Sequence, residues 1–363
     1  MKFRCERDTL AEALLTASRA ATSRTSTLPV LAGLRLDVEG DRLTITGTDL
    51  ELTIRLSLEV GGDADGSSVV PARLVTDIVR ALPAGTVTVE SGDDDVTIRA
   101  GRSDFAVRPF AVDDYPAPSE ADGEPVTVSA SLLSSALRQV VRAASTDESR
   151  PVLTGVLLTA ADDGLWAVAT DGYRLAVRNL GDAGLLSDGR SVLVPARALS
   201  EVQRLLPSDG DVEVRFGERS AEFRVATTHL STRLIDGDFP NYRNLLPSSH
   251  PNSLTIAREA LLEALHRLRI LAQDSRVVRL SLGGEVVELT VVAQDVGNAS
   301  ESIDGAYDGT EMVVGFNPDF LAAGADALDG DELTVALNDP SKPVVLRGVG
   351  DEDYLYLLMP VRV

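Results

Sequence analysis

One pattern recurs three times along this chain at a spacing near 120 residues, and it constrains the fold more than any other feature. Pro151-Val-Leu-Thr-Gly155, leading to Thr170-Asp-Gly-Tyr-Arg174, echoes Pro29-Val-Leu-Ala-Gly33, leading to Thr48-Asp-Leu50. Val70-Pro-Ala-Arg73 returns as Val194-Pro-Ala-Arg197, and Asp113-Asp-Tyr-Pro116 as Gly237-Asp-Phe-Pro240, each 124 residues on. A weaker third copy carries Ala293-Gln-Asp295 and Gly315-Phe-Asn-Pro318 in the corresponding places. A period this long exceeds any solenoid unit and suits a whole small domain. The 363 residues are therefore expected to form three equivalent domains, 1–120, 121–249 and 250–363, with linkers at 117–124 and 247–252.

Each repeat has the same predicted order of elements. A short strand (2–5, 126–128, 254–256) leads into an amphipathic helix (9–21, 131–145, 258–272). Alternating apolar and polar residues, as at 34–38 and 52–56, then read as strands. A second helix is expected at 72–82, 196–206 and 318–328, with Pro71 or Pro195 at its start and Pro83 or Pro207 past its end. Gly and Asp clusters at 61–66 and 92–95 read as hairpin turns. Two helices and about eight strands per repeat give an α+β fold, the helices of each domain packing on antiparallel sheet.

The signatures of common enzyme classes are missing. Lys2 and Lys342 are the only lysines and neither ends a GxxxxGK loop, and no GxSxG or GxGxxG run occurs. His229, His250 and His266 lack metal-ligand spacing. Asp63-Ala-Asp-Gly66 resembles the start of a calcium loop, but the twelfth position is Leu74 rather than glutamate. Asp49, Asp171 and Asp295, one per repeat, read as aspartates closing the same turn. No cofactor or metal is expected. The lone Cys5 and an N-terminus without a long apolar run predict a soluble, intracellular chain.

A net charge of -22 opposes nucleic-acid binding at face value, but a total does not describe one lining. Arg73 and Arg80 lie seven residues apart on one helical face, and Arg197 and Arg204 repeat them. Arg138 and Arg142 share a face of the first helix of the second repeat. Asp77 and Glu201 follow Arg73 and Arg197 by four residues, so charge pattern alone leaves open both a solvated, ion-paired face and a phosphate-facing one. Asp319 and Asp326 stand near the corresponding slots of the third repeat.

The TDGYRLAVR run at 170–178, DFPNYRNLLP at 238–247, FNPDFL at 316–321 and terminal MPVRV at 359–363 together resemble one family over the whole chain. That family is the bacterial sliding clamp, the beta subunit of DNA polymerase III. The resemblance implies three clamp domains, a head-to-tail homodimer closing a ring with helices inside, and double-stranded DNA threading the hole. It implies a non-catalytic, cytoplasmic processivity factor without cofactor. The lining residues it implies are Arg24, Arg73, Arg80, Arg138, Arg142, Arg197 and Arg204.

It also implies a peptide-binding pocket of the second and third domains, formed by Leu153, Thr170, Gly172, Tyr173, Arg174, Leu175, Pro240, Leu245, Asn317, Phe320, Met359, Pro360, Val361 and Arg362. Short linear peptides of the DNA polymerase III catalytic subunit, the clamp loader, other polymerases and repair proteins would dock there. Asn244 departs from the family pattern, in which arginine is common. Phe105 and Val107 would meet Ile270 and Leu271 across the dimer. Two other readings are an acidic, triplicated interaction scaffold without DNA binding, and a hydrolase with an unrecognised acid pair, which the missing motifs oppose.

Overall fold

The computed structural model describes residues 1–22, 28–117, 121–161, 164–187, 189–247, 249–275 and 277–362, with the side chains of 273–275 left aside. Two α-helices occur per repeat among the described residues: α1 (Arg7–Ser18), α2 (Ala72–Ala81), α3 (Ala130–Val140), α4 (Ala196–Leu205), α5 (Arg258–Ser275) and α6 (Pro318–Ala327). In α2 the buried residues are Ala72, Val75, Thr76 and Val79, one stripe at helical spacing. Thr76 donates its hydroxyl to the Ala72 carbonyl at 2.7 Å, so a polar side chain sits in that stripe without an unmet hydrogen bond. The helix stops at Leu82, whose extended backbone precedes Pro83, since a residue before proline is driven out of the helical region. α3 ends earlier than expected, and a 3-10 turn, Val141–Ala143, continues it.

Among the described residues every strand pairing is antiparallel, in sheets of five, eight and twelve strands. The repeats and the compact units do not coincide. Residues 1–131 with 200–234 form one unit, and 132–199 with 235–363 form the other. Strand pairing explains the division. Leu52–Glu59 of the first repeat pairs with Thr228–Arg233 of the second, in the eight-stranded sheet of the first unit. Arg174–Asn179 of the second repeat pairs with Tyr354–Leu358 of the third, in the twelve-stranded sheet of the other. Among the described residues the central repeat contributes four strands to the eight-stranded sheet and four to the twelve-stranded one.

One sequence expectation is overturned. The cluster at 61–66 is not a hairpin turn: Gly61–Ala64 is an edge strand paired with Lys2–Glu6, and the next strand begins at Gly66. Glycine is required at 62 because a side chain there would collide with the Gly40 carbonyl. The expected turn at 92–95 is present, closed by Gly92 N donating to Asp95 O at 2.8 Å.

Candidate peptide-binding site and helix-face arginines

The segment 170–175 is a turn built by its own side chains. Thr170 Oγ1 accepts from Gly172 N at 3.1 Å and donates to Arg174 O at 2.7 Å. Asp171 Oδ1 accepts from Tyr173 N at 2.8 Å and Arg174 N at 3.1 Å, and its Oδ2 receives Arg174 Nε at 2.9 Å. The chain can reverse here because Gly172 takes φ 94°, which residues with a side chain rarely adopt. Tyr173 is left 63% exposed at the apex.

Two further segments are fastened to that turn. Arg174 lies 4.4 Å from the Phe320 ring centroid, a cation–π contact. Asn317 caps α6, accepting from Asp319 N at 2.9 Å and Phe320 N at 3.3 Å, which fixes where Phe320 emerges. Tyr356 donates to Phe320 O at 2.9 Å, and burial pushes its hydroxyl pKa up to about 12. Gly324 packs so closely on the Tyr356 ring that a side chain there would collide with it. The C-terminal segment joins through Met359 N to Tyr173 O and Val361 N to Gly315 O, both 2.8 Å.

The predicted pocket residues divide by exposure. Thr170, Leu175 and Leu153 are buried and form scaffold; Leu175 packs with Val168, Val177, Tyr242, Leu355 and Leu357. Gly172, Tyr173, Pro240, Leu245, Met359, Val361 and Arg362 are exposed, and Arg174, Asn317, Phe320 and Pro360 lie between. Pro240 and Leu245 flank Tyr242, whose ring is buried in the Leu175 cluster. Among the described residues, Leu153, Pro240 and Leu245 share no hydrogen bond with the 170–175 turn, α6 or the C-terminal segment; Leu153 O instead accepts from Ser145 N at 2.8 Å. Asn244 is exposed beside Leu245. The arrangement can seat a short extended peptide through a few apolar side chains, with a fixed guanidinium at hand.

The arginines differ sharply in their partners. Arg73 is 95% exposed with Asp77 at 3.8 Å, and Arg80 is exposed beside it on α2. A groove of about 800 Å³ between α1 and α2 includes both in its lining. Arg204 is ion-paired with Glu201, and Arg197 is exposed on the same helix. Arg138 donates to Asp329 Oδ1 at 2.5 Å, and Arg142 is paired with Asp326. Arg24 lies outside the described residues. Phe105 is 40% and Ile270 77% exposed, while Val107 is buried and Leu271 half-buried.

Profiles described as DNA polymerase III beta subunit match the chain throughout: the N-terminal domain at residues 1–119, the central domain at 127–241 and the C-terminal domain at 243–362. The chain belongs to the DNA polymerase III beta subunit family. Beta sliding clamps of Synechococcus elongatus and Streptomyces coelicolor are 35% and 34% identical to it, each alignment covering 100% of this chain and 99% of the relative. The solved sliding clamp of Bartonella birtlesii, bound to griselimycin, superposes with a TM-score of 0.90 at 30% identity, covering all of both chains. That of Bacillus subtilis gives 0.89 at 29%, covering 100% of this chain and 99% of the other. The chain is thus a three-domain, non-catalytic DNA polymerase III processivity factor.

Three residues that hold this clamp's candidate site together were not singled out from its sequence as site residues. Asp171 carried a sequence signal, recurrence as Asp49 and Asp295, but was read only as a turn-former. Tyr242 lies inside the 238–247 run and Tyr356 in none of the quoted runs, and neither role shows locally, because Tyr242 packs with Leu175 and Leu355 from other strands and Tyr356 donates to Phe320, 36 residues away.

Proposed function

We propose that two copies of this chain close head to tail into a ring around double-stranded DNA, in the cytoplasm, and tether the replicative polymerase to it. The observation that carries ring closure is a pair of one-sided strand edges. Ser103–Val107 ends the five-stranded sheet, paired only with Val96–Ala100 among the described residues, and Asp104, Phe105 and Ala106 are consecutively exposed. In Gly297–Asp308, residues 305–308 pair with Asn252–Ala257, but 297–304 pair only with Val286–Ala293 among the described residues. Unpaired edges of this kind seek another strand. Arg267 of α5 donates to Glu301 at 2.8 and 2.9 Å, which brings the exposed Ile270 end of α5 alongside that second edge. An edge on the first repeat meeting a different edge on the third is a heterologous contact, and two copies close it if the rotation fits.

Inside such a ring, Arg73 and Arg80 of α2 and Arg197 and Arg204 of α4 are the residues assigned to phosphates; Arg204 carries an ion pair with Glu201 of its own helix, and Arg138 and Arg142 are paired with acids of the third repeat. A weak, sequence-independent lining suits sliding, because many strong phosphate contacts would hold the ring in place. The 170–175 turn with Phe320, Leu245 and the Met359–Arg362 segment is assigned to short linear peptides of the polymerase catalytic subunit, the clamp loader and other DNA-handling proteins. The test is retention after loading. The protein should stay on nicked circular DNA and run off the same DNA once linearised. Equal loss from both forms would leave the acidic interaction scaffold as the better reading.

A further inference from the structure

α6 inverts the charge of its equivalents. The second and ninth residues of α2 are Arg73 and Arg80, and those of α4 are Arg197 and Arg204; in α6 they are Asp319 and Asp326. Helix stability does not explain the pair. Asp319 sits in the first turn, where the helix dipole favours an acid, but Asp326 sits in the last turn, where an acid costs about 0.3–1 kcal/mol. What the two share is a guanidinium from another helix or turn. Asp319 Oδ1 lies 2.8 Å from Arg269 Nε of α5, and Asp326 is paired with Arg142 in the turn after α3. Asp329, just past α6, accepts from Arg138 at 2.5 Å and from Gln139 Nε2 at 3.2 Å. Arg138 also donates to the Asp326 and Ala327 carbonyls at 3.4 and 3.2 Å, among the last carbonyls of α6. Arg142, Arg269, Asp319 and Asp326 all line one groove of about 770 Å³ along α5 and α6.

The first repeat presents the opposite case. Arg73 has only a long ion pair with Asp77, at 3.8 Å on its own helix, and Arg80 has no acidic partner among the described residues.

We infer that Asp319, Asp326 and Asp329 are resident counter-ions, occupying Arg269, Arg142 and Arg138 in place of DNA phosphates and so setting how firmly the ring grips. This rests on the DNA-encircling reading above. A phosphate approaching these arginines must displace a carboxylate already at hydrogen-bond distance, so the exchange adds little binding energy. An arginine already neutralised by a carboxylate also brings little net positive charge to the phosphate, so few of the cations condensed on the DNA are released. The α6 face therefore grazes the duplex, while the exposed arginines of α2 carry the salt-dependent contacts. These aspartates tune grip without forming a binding site of their own.

The test is the salt dependence of binding to a short labelled duplex, read by fluorescence anisotropy on the full chain. The comparison is between the native protein and Asp319→Asn combined with Asp326→Asn. Each freed arginine that gains a phosphate adds about 0.9 to the slope of log affinity against log salt, so the double variant should be steeper by about 2. Asp326→Asn alone should add about 1, and since it removes an acid from a helix C-terminus it should fold at least as well as the native chain. Asp77→Asn on α2 should leave the slope nearly unchanged. A native slope that neither α6 variant steepens would overturn the inference while leaving DNA binding intact. Absence of any slope in all the proteins would overturn both.

Discussion

Asp171 shows how much one side chain can carry in a turn. Its carboxylate takes two backbone N–H groups and the Arg174 guanidinium, and Arg174 in turn stacks on Phe320. Asp49 does the same work in the first repeat, receiving Glu51 N at 3.1 Å and Leu52 N at 2.8 Å. There the left-handed position is Leu50, φ 78°, rather than glycine, so the turn geometry is imposed by the Thr-Asp pair and not by backbone freedom alone. Asp171→Ala should lower stability by about 1–2 kcal/mol in urea, because it leaves three part-buried donors without their acceptor, and should weaken peptide binding as Arg174 comes loose. Tyr173→Ala separates the two roles. At 63% exposure its removal should change stability by no more than about 0.5 kcal/mol, yet cut peptide affinity about tenfold if it is an anchor. A Tyr173 variant that unfolds early but binds normally would contradict the assignment.

Helices and strands were not equally legible in the sequence. Helices α2 and α4 were bounded by prolines, and α6 by Asn317 and Pro318, so their positions follow from local chemistry. The triplication was legible for the same reason, as short motifs at fixed spacing. The pairing of Leu52–Glu59 with Thr228–Arg233 was not, because partners some 170 residues apart leave no mark in either segment. Three repeats therefore fold as two compact units, which periodicity alone could not reveal. The 61–66 segment misled because its composition is that of a turn, while Gly62 answers to a close backbone approach. Within the candidate site, the exposed residues came from family motifs, whereas Tyr356 lies outside those motifs and Tyr242, though inside the 238–247 run, is not marked there as an anchor. At this scale the closure edges yield a direct test. Ile270→Asp changes a side chain that is 77% exposed in one copy, so the single chain should keep its stability. A carboxylate enclosed in the closure contact is costly, and sedimentation should show monomers. A dimer of unchanged affinity would place the interface elsewhere.

The charge of the whole chain, -22, sets how it responds to acid. Self-repulsion among carboxylates eases as they protonate, but most do so below pH 5, and two histidines act earlier in the opposite direction. His229 lies on the eight-stranded sheet opposite Arg224 on one neighbouring strand and Arg55 on the other, with Glu222 at 3.4 Å. Burial first, then the two guanidiniums, holds its pKa below the ordinary 6.5 despite the carboxylate. His250, in the other unit, is lowered by burial and by Arg347. Below pH 6.5 the unfolded chain binds protons that the folded chain refuses, so stability must fall as pH drops from 6.5 towards the folded values. Glu222 is only 2% exposed, and although burial works to raise its pKa, Arg224 and His229 hold it below the ordinary 4.5. Its contribution is therefore present above 4.5 and is lost only below that, outside the histidine window. Denaturant unfolding should show the native chain weakening between pH 7 and 5.5, and His229→Gln with His250→Gln should flatten that arm while leaving the loss below pH 4.5 in place. If the double variant loses as much stability as the native chain across that interval, the two imidazoles are not the groups responsible.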